Sequence, residues 1–112
     1  MNVVFSDVSG VTKAELAGRL DTANVNEIET SFNAGILPKA QHTVVDLTNV
    51  TFIASLGIRM LLTVARNLSR RGAKFAMYGA APPVMDIFET TALSDIILIV
   101  DTEAEAMAEV TG

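Results

Sequence analysis

Hydrophobic and polar positions along the chain change period several times, and each change marks an element. Asn2 to Val8 is rich in Val and Phe and ends before a turn glycine, Gly10. Val11 to Leu20 alternates, with Ala14, Leu16, Gly18 and Leu20 on one face and Lys13, Glu15 and Arg19 on the other. These two segments predict a β-hairpin. Asn24 followed by Glu27 is a capping signal, and Val25, Ile28 and Phe32 share one face of a helix that should stop near Gly35, with Pro38 beyond. Val44, Val45 and Leu47 predict a third strand ending at Leu47. Ser55 to Arg71 is the strongest helical pattern, with Ile58, Leu61, Leu62, Ala65 and Leu68 as its apolar stripe and Gly72 as its stop. Lys74 to Tyr78 predicts a fourth strand. Pro82 and Pro83 suit the first turn of a short helix that carries Val84, Ile87 and Phe88 inward. Ile96 to Val100 reads as a strand apolar on both faces, as in a covered sheet, and Thr102 with Glu105 forms a capping box for a last helix through Val110.

The predicted order is β-β-α-β-α-β-α-β-α. Strands alternating with helices imply parallel crossovers, joined here to an antiparallel opening. The expected fold is α/β: a mixed β-sheet opened by an N-terminal hairpin, with about four helices packed on it, in a single domain over residues 1–112. The 112 residues, half of them apolar, suffice for one packed core and leave no room for a second. The opening MNVVFSDVSG has no basic n-region and no long apolar run, so no secretory signal is expected. Ile96 to Val100 is too short to cross a bilayer. With no cysteine for disulfides or thiolate metal sites, the expectation is a cytoplasmic protein without membrane insertion.

Charge narrows the classes of partner. A net charge of −5 argues against direct nucleic-acid binding, which relies on neutralising phosphates. Five of the eight basic residues nevertheless lie between Arg59 and Lys74: Arg59, Arg66, Arg70, Arg71 and Lys74. A basic stripe on an acidic body suits steering of a charged protein partner. Arg70, Arg71 and Lys74 equally suit the simpler task of complementing a helix C-terminus.

No catalytic constellation assembles. His42 is the single histidine and has no neighbouring acid or second ligand; Asp86 with Glu89 fits a solvated helix face. Neither a GxGxxG nor a Walker motif occurs, and tryptophan is absent. The chain is expected to bind a protein partner, to be no enzyme, and to need no metal or cofactor.

The informative stretch is DLTNVTFIASLGIRMLL, Asp46 to Leu62. Ser55 stands where the main helix begins and suits the N-cap position. Gly57 in the first turn costs helix stability and leaves the backbone open to a close approach. At about 100° per residue, Leu56 and Met60 point away from the apolar stripe, with Arg59 beside them. Together Ala54, Leu56, Gly57, Arg59 and Met60 form a candidate docking surface around Ser55. The competing reading makes Ser55 a plain cap and places Leu56 or Met60 under a neighbouring helix.

This stretch resembles the signature of STAS domains, in particular bacterial anti-sigma factor antagonists. Ser55 matches that family's regulatory serine, Gly57 its glycine and Ile58 the aliphatic residue that follows. GRLDTANV (Gly18 to Val25), the Gly72-Ala73-Lys74 turn and FETTALSDII (Phe88 to Ile97) extend the likeness over nearly the whole chain. The resemblance implies a switch in which an anti-sigma factor serine kinase phosphorylates Ser55. The unmodified antagonist binds that kinase and releases the sigma factor, and a metal-dependent serine phosphatase resets the system. A phosphate at Ser55 should leave the fold unchanged, because a helix start favours anions. One departure stands out: Ala54 occupies the place of the family's usual aspartate, which bears on the rate of phosphorylation or on the kinase responsible. Two alternatives remain: a constitutive scaffold or subunit of a stress-signalling or lipid-transport complex, and a small-ligand or nucleotide sensor. The Leu56/Met60 surface also allows a weak homodimer.

Overall fold

The computed structural model describes residues 2–112. Its elements follow the predicted order: β1 (Asn2–Val8), β2 (Val11–Leu20), α1 (Val25–Ile36), β3 (Thr43–Ile53), α2 (Ser55–Arg70), β4 (Phe75–Tyr78), α3 (Pro82–Thr90), β5 (Leu98–Val100) and α4 (Glu103–Thr111). A single 3-10 turn, Leu93–Asp95, leads into β5. The five strands lie side by side in chain order; β1 runs antiparallel to β2, and every later pair is parallel. The alternation along β2 suits its place inside the sheet, between β1 and β3, since Ala14, Leu16 and Leu20 are buried on one face.

That face carries the larger core. Phe32 and Ile36 of α1, Leu61, Val64 and Leu68 of α2, and Val84 and Phe88 of α3 meet Leu16, Val45, Leu47 and Met77 from the strands. The opposite face is covered by α4 alone, whose Ala106 and Val110 pack on Val11, Val44, Ala76 and Tyr78. Gly72 ends α2 in the left-handed region at φ +79, and the Ala73 amide donates to the Leu68 carbonyl at 2.8 Å.

Three expectations need correction. β3 does not end at Leu47 but stays paired with β2 through Ile53, using two register shifts on the way. Non-local pairing outweighs the polar Thr48-Asn49 interruption that made the segment read as a loop. β5 is shorter than expected, a three-residue edge strand with Ile99 against the main core and Val100 against the α4 side, and Leu98 remains exposed. Asn24 caps no amide of α1 with its side chain. It accepts from the Asp21 amide at 3.0 Å, while Asp21 accepts from the amides of Ala23 and Asn24. The two short polar side chains lock the turn before the helix in place of a capping box.

Candidate functional site

The site is built at the junction of β3 and α2. Leu20 pairs with Ile53, and the Ala54 amide donates to the Leu20 carbonyl at 2.8 Å, so sheet pairing runs to the residue before the helix. Ala54 therefore takes the extended N-cap conformation (φ −84, ψ 168), and its carbonyl accepts the amides of Gly57 and Ile58 at 2.9 and 3.1 Å. Ser55 is not the cap but the first helical residue. Its exposed hydroxyl makes no capping hydrogen bond. Leu56 is 40% exposed and Arg59 is exposed one turn further on.

Two members of the expected docking surface lie inside. Gly57 is buried, and a Cβ there would lie 2.5 Å from a methyl of Leu20 and 3.0 Å from one of Ile53. The glycine serves a close approach of helix to sheet, not the approach of another molecule. Met60 is fully buried in the main core. It lies on the same side of α2 as Arg71, three turns away, and the Arg71 guanidinium donates to the Leu37 carbonyl at the end of α1 at 2.7 Å. That side of α2 faces α1. The buried stripe is accordingly Gly57, Met60, Leu61, Val64 and Leu68, while the expected members Ile58, Leu62 and Ala65 are only partly buried. Sequence periodicity found the helix but rotated its core face, because α2 packs on both the sheet and α1.

The basic stripe divides in two. Arg71 is engaged with α1, and the Lys74 ammonium donates to the Gly112 carbonyl at 2.9 Å. Arg59, Arg66 and Arg70 stay exposed on the outer face of α2, below Ser55.

The STAS domain family model matches residues 3–106. The chain belongs to the STAS domain family. It is 27% identical over 101 residues to an anti-sigma F factor antagonist of Paenibacillus polymyxa, an alignment covering 89% of this chain and 86% of the relative. The fold is that of an anti-sigma factor antagonist from Mycobacterium paratuberculosis, with a TM-score of 0.90, 21% identity and coverage of 99% and 94% of the two chains. It also matches the Bacillus cell fate determinant SpoIIAA in its phosphorylated form, with a TM-score of 0.70, 21% identity and coverage of 97% and 99%.

Elsewhere on this STAS domain, polar groups hold structure. The His42 Nδ1 accepts the Lys74 amide at 2.8 Å, tying the approaches to β3 and β4 together. Among the described residues no group of three or more His, Asp or Glu side chains is placed to hold a metal, and no helix is long and apolar enough to cross a membrane. A groove of about 390 Å³, lined in part by Ser69, Lys74, Ile96 and Leu98, lies at the far end of α2 from Ser55. Sequence reading missed one cluster, under α4. Lys13 reaches Glu103 at 3.0 Å and Glu15 at 3.4 Å, and the hydrogen bond to Glu103 raises the Lys13 pKa. Burial, reinforced by the nearby Asp46 charge, pushes the Tyr78 phenol up to about 12. The alternation along β2 put Lys13 on a polar face; only the arrival of α4 from 90 residues further on half-buries it.

Proposed function

We propose that this STAS domain is an anti-sigma factor antagonist switched at Ser55. Unmodified, it binds an anti-sigma factor serine kinase and so releases a sigma factor; phosphorylated, it no longer docks. The observation that carries the reading is the Ser55 hydroxyl, exposed at the family's serine position and uncommitted to any cap. The names of its relatives point the same way, and a fold neighbour has been seen phosphorylated. In the transfer, Ser55 Oγ attacks the γ-phosphorus of kinase-bound nucleoside triphosphate. The new O–P bond forms as the bond to the diphosphate breaks, and the hydroxyl proton passes to a base of the kinase. A serine phosphatase reverses the modification with water. The added charge of about −1.5 to −2 is accommodated at the start of α2, whose first turn holds no acidic residue. The domain itself supplies a docking surface and an acceptor, not catalysis, and acts in the cytoplasm.

The test is intact mass and peptide mapping of protein purified from its own host in resting and stressed growth with phosphatase inhibitors. One phosphoryl group on Ser55, varying with growth state and absent from Ser55→Ala, is expected. No phosphate in any state, with a partner captured equally by wild type and Ser55→Ala, overturns the switch. That outcome leaves a constitutive STAS subunit, the reading that Ala54 in place of the usual aspartate favours.

A further inference from the structure

We propose that Arg59 holds the Ser55 phosphate in cis, so that phosphorylation disables the docking face partly by occupying one of its own cations. The inference rests on Ser55 being the phosphoacceptor and adds how the modification is read. Ser55 and Arg59 are both exposed and stand four residues apart on α2. That spacing puts their Cβ atoms roughly 5–6 Å apart on one face, within reach of a guanidinium closing on a phosphate. The order also matters: an anion N-terminal to a cation is the favourable arrangement on a helix. Two phosphate oxygens match the planar fork of arginine.

Nothing competes for either group. Among the described residues the ion pairs are those of Lys13 with Glu15 and Glu103, so no carboxylate engages Arg59. The first turn of α2 carries no acid, and Ala54 adds no repelling charge beside the acceptor. Arg19 also stands at this end of the sheet, paired across from Phe52 and stacked on its ring at 4.6 Å to the centroid. Arg66, eleven residues beyond Ser55, is about 16 Å further along the helix axis. Before modification the outer face of α2 presents Arg59, Arg66 and Arg70 beside the exposed Leu56, a surface fitted to an acidic partner patch with an apolar recess. A phosphate held by Arg59 cancels most of that charge and withdraws the cation closest in sequence to the acceptor.

The full chain with phosphoserine installed genetically at position 55 needs no kinase for the test. Phosphorus NMR titration should place the second ionisation of the phosphate below its usual value of about 6. Arg59→Gln should raise it by roughly three-fold in proton affinity, Arg59→Lys should restore part of the effect, and Arg66→Gln should change nothing. An identical titration in wild type and Arg59→Gln, both folded by circular dichroism, overturns the clamp. A host that never phosphorylates Ser55 overturns the switch instead, so the two failures are distinct.

Discussion

Two helices of this domain begin beside a hydroxyl residue, and they begin in opposite ways. At the start of α4, Thr102 accepts the Glu105 amide at 3.2 Å and lies 3.1 Å from the Glu105 carboxylate, while Glu103 is held by Lys13. There the hydroxyl and both first-turn carboxylates have structural partners. At the start of α2, Ala54 caps with backbone alone, the Ser55 hydroxyl caps nothing, and the first turn is held by packing of Gly57 on Leu20 and Ile53. A helix start can thus be secured by hydrogen bonds or by apolar contact, and only the second leaves its hydroxyl available to another protein. The Ser55 hydroxyl sits where the fold does not need it.

That contrast can be broken most forcefully from the apolar side. Met60→Ala should cost about 2–5 kcal/mol in denaturant unfolding, because a fully buried side chain of the main core is lost. A loss near zero would return Met60 to the surface and undo the packing account of α2. Next comes the alkaline range, which probes the polar cluster under α4. Tyr78 is the sole tyrosine, so the tyrosinate absorbance of the native protein should titrate near 12, against about 10 once unfolded. Because the folded pKa is raised, the stability linked to it is complete below pH 10 and disappears as pH rises through 12, on the order of 2 kcal/mol. The raised Lys13 pKa acts in the same direction, its contribution complete below about 10.4 and lost at higher pH.

Gly57→Ala follows, at about 1–3 kcal/mol, since its Cβ would meet Leu20 and Ile53 and the helix must lift from the sheet. The two hydroxyls then give the direct comparison. Thr102→Ala should cost about 1 kcal/mol, the usual worth of a side-chain cap. Ser55→Ala should stay within about 0.5 kcal/mol in the same urea titration, as expected for an exposed residue with no bond to lose. Equal losses at the two positions would mean that Ser55 caps α2 after all.

Much of this was legible in the chain. Strict alternation along β2, the Thr102–Glu105 spacing and the Gly72 stop are local signals, and each produced the expected element. The pattern around Ser55 resembles the STAS signature, and the STAS family model matches residues 3–106. What escaped depended on partners distant in sequence. Lys13 reads as an exposed strand residue until Glu103 arrives, and Leu56 and Met60 read alike until the main core takes in only the second.

By itself, then, the sequence determined the order of elements, the hairpin opening and the family, because periodicity, turn chemistry and motif are properties of neighbouring residues. The tertiary structure alone decided that Ala54 and not Ser55 caps α2, since β3 remains paired with β2 up to that residue. It also decided which face of α2 is core and that Gly57 serves the interior. Burial is a property of what packs alongside, and a helix held between a sheet and a second helix has two apolar sides that no single stripe can reveal.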